Sequence, residues 1–417
     1  MRDKKYAYLC HSFQIFKAML RRRILTFLWK TLSIILLGAL FAVIVTSVSP
    51  VYRFAPSRPF SGPDVYNPYR NLDTAYCWKR ANFHTHTIVP GPLNECHHTP
   101  AEVYDSLRRF GYDIVTFSNH NVLTRHPFDT SLQVNVYEHG YNLFKYHKLV
   151  FGCKDVCLFD NLVPLFAFQK QFQLDLLGKD SDFIQMNHPF RTNGTSEYQM
   201  SRLTGYRIME LDSGVTTEQE YWDWALSAGH YSFALANDDL HYPDRTRCIA
   251  VRCNFLCTPS ARYEDLKKVL LDGCYYSMRV PDYGGGNWAE KHRGNESLPY
   301  VRDIGMKDSL IFIKLSEPAD SISFTGQGHS QLSKVTDSDF LAYVFRPDDN
   351  YARITAWFAD GEVIYSNPFA RYDASVSDSP YVEAEHPVNL LLTILFNLLL
   401  LLLAAGDILL IVKIVKK

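Results

Sequence analysis

The sequence has 417 residues, 47% of them hydrophobic, and a formal net charge of −1. That is chain enough for two or three domains, and its charge announces no acidic or basic tail as a docking device and lends nucleic-acid binding no support.

In chain order, Arg2, Lys4, Lys5, Lys17, Arg21, Arg22 and Arg23 precede an apolar segment over residues 24–48, broken only by Lys30. Its uninterrupted part, 31–48, just suffices to span a bilayer, and residues 388–412 form a second such segment, followed by Lys413, Lys416 and Lys417. The positive-inside rule then predicts two membrane passes, with cytoplasmic basic tails at 1–23 and 413–417 and with 49–387 facing outward. A cleaved signal peptide is the alternative for the first segment; the long basic region ahead of it and the lack of a small-x-small site speak against cleavage. Asn397 and Asp407 interrupt the second segment, facing a partner helix or, for Asp407, the headgroups. Of the nine cysteines, Cys10 falls in the first tail and eight fall in the outward part, an even number compatible with disulfides. Cys153-x3-Cys157 and Cys248-x4-Cys253-x3-Cys257 lack a CxxC knuckle, so they read as disulfides or buried thiols rather than as a zinc site.

Residues 49–80, rich in Pro, Tyr and Arg, read as a linker leaving the membrane. Residues 81–84 are strand-like and end on His84-Thr85-His86, whose two imidazoles would share one face of an extended chain. Thr99-Pro100-Ala101-Glu102 is a capping box that starts a helix over 100–110, with Gly111 as its stop. Strands follow at 113–118, 134–137, 149–151, 182–186, 207–211, 231–236 and 248–255, with helices at 217–228 and 260–272. The alternation argues for a parallel α/β sheet, open or closed into a barrel.

Polar clusters punctuate the carboxyl ends of those strands. Asn119-His120-Asn121, Glu138-His139, Asn187-His188-Pro189 and Asn237-Asp238-Asp239-Leu240-His241 each follow an apolar run. In a closed α/β barrel these ends converge on one face, where active sites of such barrels lie. Together with His84 and His86 they supply the imidazole and carboxylate donors that zinc, manganese or iron take.

These blocks, His84-x-His86, Ser-Asn-His120-Asn, Asn-His188-Pro and Asp239-x-His241, resemble in order the motifs of the PHP (polymerase and histidinol phosphatase) superfamily of metal-dependent phosphoesterases. The resemblance covers roughly residues 81–280. It implies a distorted (β/α)7 barrel over 81–281 holding two or three divalent ions, zinc, manganese or iron. Carried over residue by residue, it implies a metal set of His84, His86, Glu95, His120, Glu138, His147, His188, Asp239 and His241, with Glu138 bridging two ions and Glu138, Asp239 and His241 closest to the chemistry. Glu95 takes the place of an aspartate common in the family, and His97 is the alternative at that turn. Glu210 stays outside the set, as a supporting or helix-capping group. Asp238 is expected to support its neighbour, and His98 and His139 to be solvated or supporting. Arg191 is either a contact for a substrate phosphate or a surface residue.

Beyond the barrel, 282–307 reads as a boundary loop and 308–371 as a small β-sandwich-like domain, with Asp360-Gly361 as a hairpin turn. Residues 372–387 then link to the second membrane segment. The implied reaction is hydrolysis of a phosphoester by a metal-activated water, on a phosphorylated small molecule, lipid or glycan. No GKS/T loop, glycine-rich dinucleotide turn or GxSxG elbow is present. A non-catalytic membrane receptor or assembly factor that keeps the barrel as a scaffold is the competing expectation.

Overall fold

The chain opens with one long helix, α1 (Arg2–Thr46), and closes with another, α8 (Leu390–Lys416). The computed structural model describes residues 2–73, 78–92, 94–213, 216–217, 219–383 and 386–416. Between the terminal helices come β1 (Asp64–Tyr66), β2 (Lys79–Asn82), α2 (Pro100–Arg108), β3 (Ile114–Val115), β4 (Val136–His139), β5 (Lys148–Phe151), α3 (Ala167–Gly178), β6 (Phe183–Met186) and α4 (Glu197–Met200). They continue with β7 (Ile208–Ser213), β8 (Thr216–Thr217), α5 (Glu220–Ser227), β9 (Phe233–Asn237), β10 (Arg252–Leu256), α6 (Tyr263–Asp272), β11 (Tyr275–Arg279) and α7 (Trp288–Glu296). The last strands are β12 (Val301–Lys307), β13 (Leu310–Gly326), β14 (Ser330–Val344), β15 (Tyr351–Trp357), β16 (Val363–Ser366) and β17 (Phe369–Tyr372).

Two compact units result. The first joins Met1–Val51, Asn161–Val163 and Val388–Lys417. In it Phe16–Thr46 and Leu390–Lys416 are long and apolar enough to cross a membrane, with mean hydropathy of 2.3 and 2.7. The helix that carries the first span stops at Thr46, because Pro50 lies just ahead and disfavours helix before it. Asn397 faces the chain leaving α1: its Nδ2 donates to Ser49 O at 2.9 Å, while Thr393 Oγ1 accepts from Val51 N at 2.9 Å. Asp407 is buried within this unit.

The second unit, Tyr52–Asp160 and Pro164–Pro387, carries two sheets. The smaller runs β4-β5-β6-β7-β9, with β8 folded back on β7. The larger runs β1-β17-β15-β16-β11-β10-β2-β3, and β12, β13 and β14 extend it from β15. Among the described residues the paired ladders by themselves show no closed ring. Two isolated parallel bridges, Thr85 with Leu240 and His120 with Glu138, link one sheet to the other. Nor is the smaller sheet wholly parallel, since β5 runs antiparallel to both β4 and β6.

The capping box forms as expected, with Thr99 Oγ1 accepting from Glu102 N at 3.3 Å and Glu102 Oε2 accepting from Thr99 N at 2.7 Å. Several expectations are corrected. Residues 113–118 form no full strand: only Ile114–Val115 pair in register with β2, although Ser118 N still donates to Thr85 O at 2.8 Å. Thr217 belongs to β8, and α5 begins at Glu220. The boundary loop at 282–307 contains α7 and β12, and β11 precedes it unanticipated. Strands expected as a separate sandwich instead extend the larger sheet, through β16 pairing with β11. Cys96, Cys153, Cys157, Cys248, Cys253, Cys257 and Cys274 are free thiols; Cys77 and the side chain of Cys10 lie outside the described residues.

Candidate metal centre

Most of the donors reach the centre from at or near the end of a strand. His84 and His86 follow β2, and the chain there is held extended by Leu240 N donating to His84 O at 3.2 Å and His86 N donating to Leu240 O at 2.9 Å. Extension puts both rings on one side, 5.3 Å apart between centroids. His120 follows β3, Glu138 lies within β4, His188 follows β6, and Asp239 and His241 follow β9. His147 precedes β5. Because β5 is reversed, its start lies beside the carboxyl ends of β4 and β6. Glu95 comes from the loop before α2.

Glu138 is the hub. Its Oε2 lies 3.1 Å from His84 Nε2, 3.3 Å from His86 Nε2 and 3.1 Å from His120 Nε2. Its Oε1 lies 3.0 Å from His147 Nδ1 and 3.4 Å from His188 Nε2, and accepts from Asn187 Nδ2 at 3.0 Å. Asp239 Oδ1 stands 3.2 Å from His84 Nε2 and 3.3 Å from His86 Nε2. Glu95 Oε2 sits between His120 Nε2 at 3.1 Å and His241 Nε2 at 2.9 Å.

Near though they are, many of these atoms make no hydrogen bond. Nε2 of His84, His86 and His147, both ring nitrogens of His188 and Oδ1 of Asp239 are buried without a hydrogen-bond partner among the described residues. Orphaned buried polar atoms are costly unless something satisfies them. Donors placed about 2.0–2.2 Å from one tetrahedral ion stand about 3.3–3.6 Å apart, close to the spacings here. Four overlapping groups could each hold a cation: His84-His86-Glu138-Asp239, His84-His188-Glu210, His86-Glu95-His241 and His120-Glu138-His147. The donor set therefore fits divalent metal, with Glu138 shared between groups.

The protonation states agree with that fit. Burial opposes the charge on Glu138 and on Asp239, but the imidazoles around them hold both carboxyls well below the usual range: His120, His84 and His147 for Glu138, His84 and His241 for Asp239. Glu95 is lowered by its hydrogen bonds to His120 and His241. Burial lowers His147 to about 3 and also lowers His86, leaving both imidazoles neutral, as metal ligands must be. His84 is raised well above its usual value, because Asp239, Glu138 and Glu210 outweigh its burial. That positive charge is what a cation would displace.

Two of the site's side chains sit on strained backbone. His188 has φ +23° and Asp239 φ +49°, in the left-handed region that non-glycine residues seldom adopt. The sequence places Glu210 outside the set, yet it is fully buried on β7 beside it. Its Oε1 stands 2.9 Å from His84 Nδ1 and accepts from Asn237 Nδ2 at 3.1 Å, and its Oε2 accepts from His188 N at 3.1 Å. Asp238 turns away and accepts the backbone N–H groups of Ala250, Val251 and Arg252 at 2.7–2.9 Å. His139 is not solvated: it is buried, with Nε2 2.8 Å from Phe159 O. His98 lies 3.8 Å from Asp244 at the surface, and His97 borders the cavity without joining the cluster.

A cavity of about 450 Å3 opens over this cluster, bordered by Glu95, His120, Glu138, His147, Asp239 and His241 and also by Lys145, Arg191 and Tyr242. Arg191 Nη1 donates to Asp239 Oδ2 at 2.9 Å, so Arg191 is no detached surface residue.

No protein-family model and no curated protein matches this chain. Among solved structures it is similar to a two-domain protein from Bacteroides vulgatus ATCC 8482 described as containing a predicted PHP-like metal-dependent phosphoesterase. The identity is 14%, over 75% of this chain and 99% of that one, at a TM-score of 0.37. A likeness that loose fixes neither the architecture nor the activity of this chain.

Proposed function

We propose that this protein is a metal-dependent hydrolase of phosphoester bonds. The observation that carries the reading is the convergence of buried, partnerless imidazole and carboxylate atoms around Glu138 at the floor of an accessible cavity. His84, His86, Glu95, His120, Glu138, His147, His188, Asp239 and His241 would hold two or three divalent ions, zinc, manganese or iron, and Glu210 would orient His84. Bound there, such ions supply an activated water and neutralise phosphoryl and leaving-group charge.

The chain's own groups do the rest. Glu138 presents one oxygen to His84, His86 and His120 and the other to His147 and His188, so it ties the two halves of the cluster into one geometry. Asp239 takes an Arg191 hydrogen bond on the oxygen that does not face His84 and His86, which fixes its carboxylate plane. His241 borders the cavity, and with no cation bound Asp239 and Glu95 raise its imidazole to about 8 against its burial; holding an ion would require it neutral. The substrate in this reading is a phosphorylated small molecule, lipid or glycan. The terminal helices anchor the chain in a membrane by two passes, with both tails cytoplasmic and the hydrolase outside.

The test is metal analysis of the purified full-length protein, followed by assay with zinc, manganese or iron against aryl phosphate monoesters and diesters. Bound metal with turnover that collapses at least a hundredfold in Glu138→Ala is the expected result. Bound metal with no turnover under any condition would overturn the enzyme reading in favour of a scaffold.

A further inference from the structure

The cavity wall carries more positive charge than holding metal requires. Lys145 borders it from the loop between β4 and β5, with its backbone left-handed at φ +52°. That loop is pinned on both sides. Asn142 is buried, accepts Tyr146 N at 2.9 Å on Oδ1, and donates from Nδ2 to Tyr146 O and Asp160 Oδ2, both at 3.0 Å. Across the cavity mouth Thr192 Oγ1 donates to Phe144 O at 2.7 Å, tying the loop to the segment that carries Arg191. Gly194 is part of this junction: a Cβ there would meet Phe144 O at 2.7 Å. Lys145 and Arg191 are thus delivered to one cavity by two loops that brace each other.

Neither cation is fully consumed. Lys145 has no carboxylate within ion-pair distance among the described residues, and Arg191 commits one nitrogen, Nη1, to Asp239. A cationic wall facing a metal cluster complements a ligand with several charged oxygens. The phosphoryl of a monoester offers three non-bridging oxygens and up to two negative charges; a diester offers two oxygens and one charge. A cavity of about 450 Å3 is also the size of a small-molecule site, where a polymer would need an open groove.

We propose that Lys145 and Arg191 form a clamp on the terminal phosphoryl of a phosphate monoester, so that the site is a phosphomonoesterase for a small phosphorylated molecule. This rests on the phosphoester reading above and narrows it. Arg191 takes the phosphoryl with its remaining N–H groups while keeping Asp239 in place, and Lys145 closes on it from the neighbouring loop.

The experiment compares the metal-loaded full-length wild type with Lys145→Met and Lys145→Arg. Calorimetry with inorganic phosphate measures the clamp directly, and kinetics with p-nitrophenyl phosphate and its methyl diester measure its selectivity. Lys145→Met is expected to bind phosphate about tenfold more weakly and to raise KM for the monoester by a similar factor. Metal content should stay unchanged, diester turnover should fall less than monoester turnover, and Lys145→Arg should recover most of the affinity. Equal phosphate affinity in wild type and Lys145→Met would overturn the clamp, as would a diester cleaved in preference to the monoester. Phosphate binding that depends on Lys145 in a protein that hydrolyses neither ester would support the clamp and overturn the hydrolase reading, so the two failures are distinguishable.

Discussion

Glu210 shows how much a single carboxylate can arrange. One oxygen faces His84 Nδ1 at 2.9 Å, so that Nε2 is the nitrogen left for a cation, and the other receives the backbone N–H of His188. Such outer partners fix the tautomer and orientation of metal-bound histidines. Glu210→Gln keeps the shape but not the charge, and should lower metal affinity about 10–100-fold with the fold intact. Metal titration monitored by calorimetry, with circular dichroism as the control, checks this; unchanged affinity would remove Glu210 from any such role. Read in sequence, Ile-Met-Glu-Leu is an apolar strand with one acid in it. The histidines betray themselves by recurring at strand ends, but the partner of an acid inside a strand is visible only once another strand lies beside it. Lys145 was illegible for the same reason, as one lysine among many until two loops met.

At the scale of elements, the reversal of β5 is decisive. A parallel neighbour needs a crossover of about a dozen residues or more, and only residues 140–147 separate β4 from β5, so the length of the connection already favours an antiparallel turn. The reversal brings His147 to the site from the start of its strand, and it carries Lys148 into the interior. Lys148 is wholly buried, with Nζ donating to Tyr146 O at 2.9 Å and to Gln173 of α3. Lys170 of α3 is buried with it, donating to Gln199 Oε1 at 2.8 Å and Thr195 Oγ1 at 3.0 Å. Burial lowers each to about 7, against an ordinary value in the unfolded chain of about 10.4. Between those values the unfolded chain binds protons that the native protein does not, so native stability rises with pH above about 7 and gains nothing from these groups below it. From pH 7 to 8.5, before cysteines and tyrosines intervene, each lysine should add at most about 2 kcal/mol. Denaturant midpoints across that range, for wild type against Lys148→Met, check the slope; identical slopes would show that Lys148 is not neutral in the native state. Nothing in Lys-Leu-Val-Phe announces a buried lysine, because its solvent is replaced by groups from α3 and the loop before it.

Across the whole molecule, two spans sit at opposite ends of the sequence, and residues 52–387 between them form the second unit apart from residues 161–163. The proposed orientation puts Val376, 82% exposed, on the extracytoplasmic side, which is the outer surface if the membrane is the cell's own. Val376→Cys should react with a membrane-impermeant maleimide in intact cells above the background of wild type; reaction only after lysis would place the site on the cytoplasmic face. The large sheet runs from β3 through β2, β10 and β11 into β16 and β15, so strands read as a separate sandwich share one hydrogen-bonded framework with β2, the strand that leads into His84 and His86. Alternation cannot distinguish the two arrangements, since a strand reads the same whichever neighbour it pairs with.

By itself the sequence determined what is local or periodic: two apolar spans, the capping box of α2, and strand ends carrying His84, His86, His120, His188, Asp239 and His241. Those signals follow from chain geometry over a few residues, where side-chain chemistry and spacing act directly. Tertiary structure alone decided that the late strands join the larger sheet, that Glu138 meets five imidazoles, that Glu210 stands behind His84, and that Lys145 and Arg191 attend one cavity. Each of those depends on pairing between residues distant in the chain, and long-range pairing is fixed by the collective burial of the core and the satisfaction of its polar groups, not by any short stretch of sequence.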